Sequence, residues 1–187
     1  RKQMRTALII YWSKTGNTEK VADSIQKGLE QSNFKVTVKK PEEAEAIDYF
    51  NYDLICVGCP SYSWHPPLPV TEFLKKKFEH YKQEGRIKPR APKVPKKNAL
   101  IFVTYSGPHT GIHEAIPVGK DIRQYFEHLG FTILDEWYIL SEFHGSLEYS
   151  TQGRMGDIRG WPTAEHLMVI ENDTKRIANL IRRSISA

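Results

Sequence analysis

Apolar residues along this chain fall into two kinds of pattern. Three short runs are continuously apolar: residues 7–12 (Ala7 to Trp12), 54–57 (Leu54 to Val57) and 99–103 (Ala99 to Val103). A strand covered on both faces has no polar side to show, so these runs predict central strands of a parallel sheet. Residues 34–39 alternate apolar with polar, and residues 131–137 mix apolar with acidic residues. Both predict edge strands, where polar side chains reach water. Between the strands the spacing changes to the helical one. Val21, Ile25 and Leu29 share a face; so do Val70, Phe73, Leu74, Phe78 and Tyr81; then Ile122, Tyr125, Phe126 and Leu129; and last Leu167, Ile170, Ile177 and Ile181.

Strands and helices therefore alternate, with one short irregular or helical piece between the second and third strands. Right-handed crossovers then give a parallel sheet sandwiched between helices, an α/β three-layer sandwich. With the first, third and fourth strands central and the second and fifth at the edges, the strand order must be 2-1-3-4-5. The 187 residues suit one domain, 1–187, and no internal repeat is present. Residues 85–97 hold three prolines and no periodicity, predicting a surface loop. Residues 141–162 hold four glycines, and a loop of that length in a compact domain is expected to be a lid or an interaction segment.

Composition changes this picture little. Hydrophobic residues at 40% and charged residues at 26% are those of a globular chain. The first residues have the wrong length and flanks for a signal peptide, and no apolar stretch approaches the ~20 residues of a membrane span, so a cytoplasmic location is expected. The net charge of +5 is local: residues 75–97 carry ten Lys or Arg against two Glu, leaving −3 on the rest. Such a run is first of all a solvated surface, and no nucleic-acid partner is inferred from it. Cys56 and Cys59 spell C-x-x-C, but strand residues three apart point to opposite faces, so they are expected to be small buried hydrophobes without metal or disulfide.

Chemistry concentrates in residues 13–18, Ser-Lys-Thr-Gly-Asn-Thr, between the first strand and the first helix. Ligands of open α/β sheets bind at the carboxyl ends of the strands where the order reverses, here between the first and third strands. Helix-start N–H groups favour an anion there. Neither G-x-x-x-x-G-K-[ST] nor G-x-G-x-x-G occurs, which disfavours nucleoside triphosphates and dinucleotides. Two possibilities remain: an ordinary helix cap, or a loop in which Ser13, Thr15 and Thr18 hydroxyls, the Asn17 amide and backbone donors surround one terminal phosphate. In the second, Gly16 permits the turn and Lys14 can add charge.

This loop after an apolar strand resembles the FMN phosphate loop of flavodoxins, T/S-x-T-G-x-T, with every pattern position present. The likeness covers almost the whole chain. Residues 58–67, Gly-Cys-Pro-Ser-Tyr-Ser-Trp-His-Pro-Pro, are similar to the loop in which a proline and aromatic residues approach the isoalloxazine ring. Residues 104–109, Thr-Tyr-Ser-Gly-Pro-His, stand in the place of the second ring-binding loop. The resemblance implies a flavodoxin-like fold with FMN as cofactor. It places the phosphate on Ser13, Lys14, Thr15, Gly16, Asn17 and Thr18, and the ring against Pro60, Ser61, Tyr62, Ser63, Trp64, Thr104, Tyr105, Ser106 and Gly107. A flat, partly apolar ring needs aromatic faces and backbone amides, for which Tyr62, Trp64 and Tyr105 are the candidates, ahead of Trp12.

The chain also departs from the family. Its second ring loop lacks the acidic Gly-Asp character common in electron-carrier flavodoxins, the chain is basic, and no glycine lies between Pro60 and Pro69. The expected function is electron transfer by an FMN protein, to a redox partner protein or a small acceptor. Two alternatives are an FMN-dependent NAD(P)H:quinone-type oxidoreductase, with Tyr105 or a loop histidine assisting hydride and proton transfer, and a docking module that kept only the fold. His65, His109, His113 and His144 are expected to be polar loop residues, with no metal site.

Overall fold

A computed structural model describes residues 4–184. Five parallel strands form one sheet: β1 (Arg5–Tyr11), β2 (Phe34–Lys39), β3 (Leu54–Pro60), β4 (Asn98–Tyr105) and β5 (Thr132–Leu140), in the order β2-β1-β3-β4-β5. The expected fold class and strand order are those observed. Helices α1 (Asn17–Glu30) and α5 (Ala164–Arg183) cover one face; α2 (Leu68–Gln83) and α3 (Ile116–His128) cover the other. A short helix, α4 (Leu147–Thr151), interrupts the 141–162 segment, where the sequence predicts only a loop. Its signal is local: Ser146 caps it by accepting from the Tyr149 N–H.

The alternation of side chains along the strands builds two cores. Leu8, Ile10, Ile55, Val57, Ile101 and Val103 face α2 and α3, whereas Ala7, Ile9, Leu100 and Phe102 face α1 and α5. Cys56 and Cys59 fall on opposite sides, each fully buried, and burial pushes both thiols well above their ordinary range. They are inert packing groups. All of β4 is buried, and each large apolar side chain there contributes roughly 1.5–3 kcal/mol. The surface ion pairs, at about 0–1 kcal/mol apiece, are secondary.

One cross-strand position is tight. Gly58 on β3 pairs with Phe102 on β4, and a Cβ at Gly58 would lie 2.0 Å from the Phe102 ring. Only glycine lets that ring cross the strand just beneath the carboxyl edge.

The end of the basic segment, residues 93–97, lies at the other pole of the sheet. The Lys97 and Lys93 ammonium groups donate to the carbonyls of Tyr52 and Phe131, which precede β3 and β5, and the Val94 N–H donates to the Gly130 carbonyl. These cations are therefore remote from the phosphate loop, which local sequence cannot reveal. A cavity of about 520 Å³ also lies elsewhere, between residues 45–48 and α2. Its buried Lys77 ammonium is held by the carbonyls of Glu45 and Ile47 and lies 4.8 Å from the Tyr49 ring centre; desolvation lowers its pKa. That lysine serves to fix the 45–47 turn.

Candidate functional site

At the carboxyl edge three loops meet. The first, residues 12–16, leaves β1 with the Trp12 N–H donating to the Gly58 carbonyl of β3 at 3.1 Å. The chain then turns through Gly16 at φ +100°, a conformation that L side chains rarely adopt, into α1. The Ser13 hydroxyl accepts from the Gly16 N–H at 3.2 Å, so it shapes the loop. No side chain caps α1, which leaves its first-turn donors facing outward, and a Cβ on Gly16 would meet nothing within 4 Å. The open space over these uncapped helix donors suits an anion. Lys14 and Thr15 are exposed beside it.

Asn17 and Thr18 point elsewhere. The buried Thr18 hydroxyl shares a 2.8 Å hydrogen bond with the hydroxyl of Thr104, the penultimate residue of β4. The Asn17 amide donates to the Glu142 carbonyl at 2.9 Å and accepts from the His144 ring at 3.1 Å. Both side chains thus join the first loop to its neighbours, while their backbone N–H groups remain in the first turn of α1.

The second loop is a tight reversal. Tyr62 and His65 exchange both backbone hydrogen bonds, at 2.9 and 3.0 Å, across Ser63 (φ +46°) and Trp64 (φ +67°). Two positive φ values in succession define a turn that normally requires Asn-Gly. Here the absent glycine is replaced by strain, and Ser63→Gly is expected to raise stability by about 1 kcal/mol in urea unfolding. No change would mean that the turn relaxes in solution. The turn holds the Tyr62 and Trp64 rings out, 43% and 54% exposed. Tyr62 is steadied edge-on by Trp12, with ring centres 5.7 Å apart, and desolvation raises its phenol pKa. The loop is anchored below by the Ser61 N–H on the Thr104 carbonyl at 2.9 Å and by the Ser61 hydroxyl on the Glu114 carbonyl.

The third loop follows β4. Tyr105 is only 8% exposed and belongs to the α2/α3 core, so among the three aromatic candidates it is Tyr62 and Trp64 that present open faces. Ser106 is half-buried and Gly107 is buried, its φ of +59° turning the chain back toward Gly111. Pro60, Ser61 and Thr104 form the floor between the second and third loops, through the pairing of Pro60 with Thr104.

Sequence patterns single out the 141–162 segment without saying what it touches. The Ser141 N–H donates to the Tyr105 carbonyl at 2.8 Å and the Arg154 N–H to the Pro108 carbonyl at 3.0 Å. Tyr149 packs edge-on against both Phe143 and His109, with centres 5.1 and 5.7 Å away. The segment is a strap across the first and third loops, and Glu142, Phe143, His144 and Tyr149 join the site through it. Its length and four glycines were the available signal; the partners are more than a hundred residues distant for Asn17. Among the described residues, no group of three or more His, Cys, Asp or Glu is placed to hold a metal ion, and no helix is long and apolar enough to cross a membrane.

Comparison with known proteins agrees with this geometry. The flavodoxin of Clostridium beijerinckii is 39% identical over 51 residues, 27% of this chain and 37% of that protein, so the match spans little more than a third of the relative. Among solved structures, an archaeal flavodoxin superposes with a TM-score of 0.66 at 19% identity, covering 95% of this chain and 99% of that one. The rubredoxin oxygen:oxidoreductase of Desulfovibrio gigas superposes with a TM-score of 0.61 at 13% identity, covering 97% of this chain but 37% of the larger one. These two likenesses show the fold. A family model described as Flavodoxin matches residues 9–161, which include all three loops and nearly all of the strap, and the chain belongs to the flavodoxin family.

Proposed function

We propose that this protein binds FMN at the carboxyl edge of its sheet and transfers electrons through it. Flavodoxin family proteins bind FMN. The observation that carries the proposal for this chain is the convergence of three loops on an uncapped helix start beside two exposed aromatic rings. In this reading, residues 13–18 hold the phosphate through the first-turn N–H groups of α1 and the hydroxyls of Ser13 and Thr15. Thr18 locks that loop to β4 from beneath. Tyr62 and Trp64 cover the ring, and Pro60, Ser61, Ser63, Thr104, Ser106 and Gly107 supply backbone along its polar edge. FMN supplies a ring able to take and release electrons one or two at a time; the chain supplies binding, orientation and electrostatics.

The ring loops carry Tyr, Ser, Trp and His side chains, with few carboxylates. Negative charge beside the ring disfavours its reduction, so this site is proposed to run at a higher potential than an acidic carrier of the same fold. A redox protein or a small acceptor is the proposed partner, reaching the ring where Trp64 stands exposed. Absorbance and fluorescence of the purified chain test the cofactor: it is expected to carry flavin colour or to quench added FMN at one equivalent. A colourless protein that leaves FMN fluorescence untouched would overturn the proposal.

A further inference from the structure

A cavity of about 340 Å³ opens at the amino end of the sheet, between the end of α2, the proline-rich loop and the end of α3. Its floor is apolar, made by the Phe50 ring, Val94 and the buried Leu129. The polar side chains around it are Arg86, Lys88, Lys93 and His128, all exposed and all basic, and no carboxylate is among the lining groups. Acids close by are committed elsewhere. The Glu127 carboxylate receives Arg123 at 2.7 and 3.0 Å, and Glu84 pairs with His80 at 3.1 Å. Among the described residues, Arg86, Lys88 and Lys93 form no ion pair.

The walls are held in place. The guanidinium carbon of Arg86 stands 4.3 Å from the centre of the Phe50 ring, a cation–π contact that fixes the group and leaves its N–H donors for an acceptor. On the facing side, Lys93 donates to the Phe131 carbonyl at 3.0 Å and the Val94 N–H to the Gly130 carbonyl at 2.9 Å. The loop passes so close to Gly130, at φ +81°, that a Cβ there would lie 2.2 Å from the Pro92 carbonyl oxygen. Arg90 and Ala91 turn the loop with φ of +67° and +40°, which L residues adopt only at a cost.

We propose that this cavity is a docking site for an acidic segment of a partner protein, one in which Asp and Glu flank an apolar residue. The apolar side chain enters the cavity, and the carboxylates on either side meet the four bases around it. Lys82, Arg90 and Lys96 are exposed and continue the charge outside the cavity, so a run of carboxylates is matched where a single small anion would use one or two bases. A nucleic-acid backbone would use the charge but not the apolar floor, and the one phenyl ring of the lining already carries Arg86. A membrane surface is also poorly matched, because no large hydrophobic side chain between residues 82 and 97 is exposed for insertion. The site lies at the opposite end of the sheet from the three loops, so the inference does not rest on the FMN reading. A partner held at this pole is kept at high local concentration while the carboxyl edge stays open.

Calorimetric titration of the full chain with a peptide of Asp and Glu around one central phenylalanine tests this, at about 0.15 M salt, where unspecific charge attraction is screened. Replacing that phenylalanine by serine is expected to weaken binding about tenfold, as loss of one buried apolar side chain should. Arg86→Glu/Lys88→Glu should also weaken it by about tenfold or more. Lys20→Glu/Lys40→Glu, at exposed positions near the carboxyl edge, changes the net charge equally and should alter the affinity by less than about twofold. Amide shifts on adding the peptide need no variant and are expected to concentrate at Val94, His128 and Leu129. Equal affinity of the two peptides, equal losses in the two double variants, or shifts concentrated at residues 12–18 would overturn the proposal. So would absence of peptide binding, or tighter binding of a DNA duplex or of phosphatidylserine vesicles than of the peptide. A chain that binds the peptide but no FMN contradicts the functional proposal and leaves the docking site standing.

Discussion

Thr15→Asp is expected to weaken FMN binding about a hundredfold while leaving riboflavin binding unchanged. Thr15 is exposed next to Gly16, whose surroundings are open, so the new carboxylate does not disturb the core. At roughly 5 Å and an effective dielectric of about 20, two unit charges repel by about 3 kcal/mol, enough for that hundredfold change. The repulsion is partly screened, so the loss should shrink as salt rises. Titration of the two flavins at low and moderate ionic strength measures it. Equal losses for both ligands would remove the phosphate from residues 13–18; this comparison is sharper than deleting a hydroxyl, because riboflavin differs from FMN only in the phosphate.

Gly58→Ala is expected to destabilise the fold by about 3 kcal/mol, the upper end of what overpacking costs. The built Cβ stands 2.0 to 2.3 Å from three ring atoms of Phe102, which is fully buried and has no free direction in which to move. The displacement should reach the site, because the Gly58 carbonyl accepts from the Trp12 N–H at the root of the phosphate loop and Trp12 in turn steadies Tyr62. Urea unfolding measures the stability change, and flavin titration the second effect. Adding Phe102→Leu should restore part of the loss, so the two substitutions together cost less than their sum. A cost below about 1 kcal/mol for Gly58→Ala would mean that the sheet opens locally at little expense.

The strands were legible for a simple reason. A strand buried on both faces is written as an unbroken apolar run, and one at an edge as a mixed run; that contrast separates the central strands β1, β3 and β4 from the edges β2 and β5 of the observed order. Boundaries were less legible, because polar residues such as Asn98 and Thr104 are buried at the ends of β4 by hydrogen bonds that no pattern displays. Helix α4 was missed because five residues are too few to show a period.

The site divides along the same line. The amino-acid sequence by itself determined where the loops lie, that residues 13–18 have the residue types of a phosphate loop, and that Tyr62 and Trp64 stand at a strand end, since each of these is a local property of contiguous residues. Only the tertiary structure decided which side chains are free to act. It turned Tyr105 into the core, bonded Thr18 to Thr104 86 residues away, placed the end of the basic segment, residues 93–97, at the far pole, and brought the 141–162 strap onto Asn17. Orientation and partnership depend on packing between distant segments, and hydrophobic periodicity carries no record of which distant donor meets which acceptor.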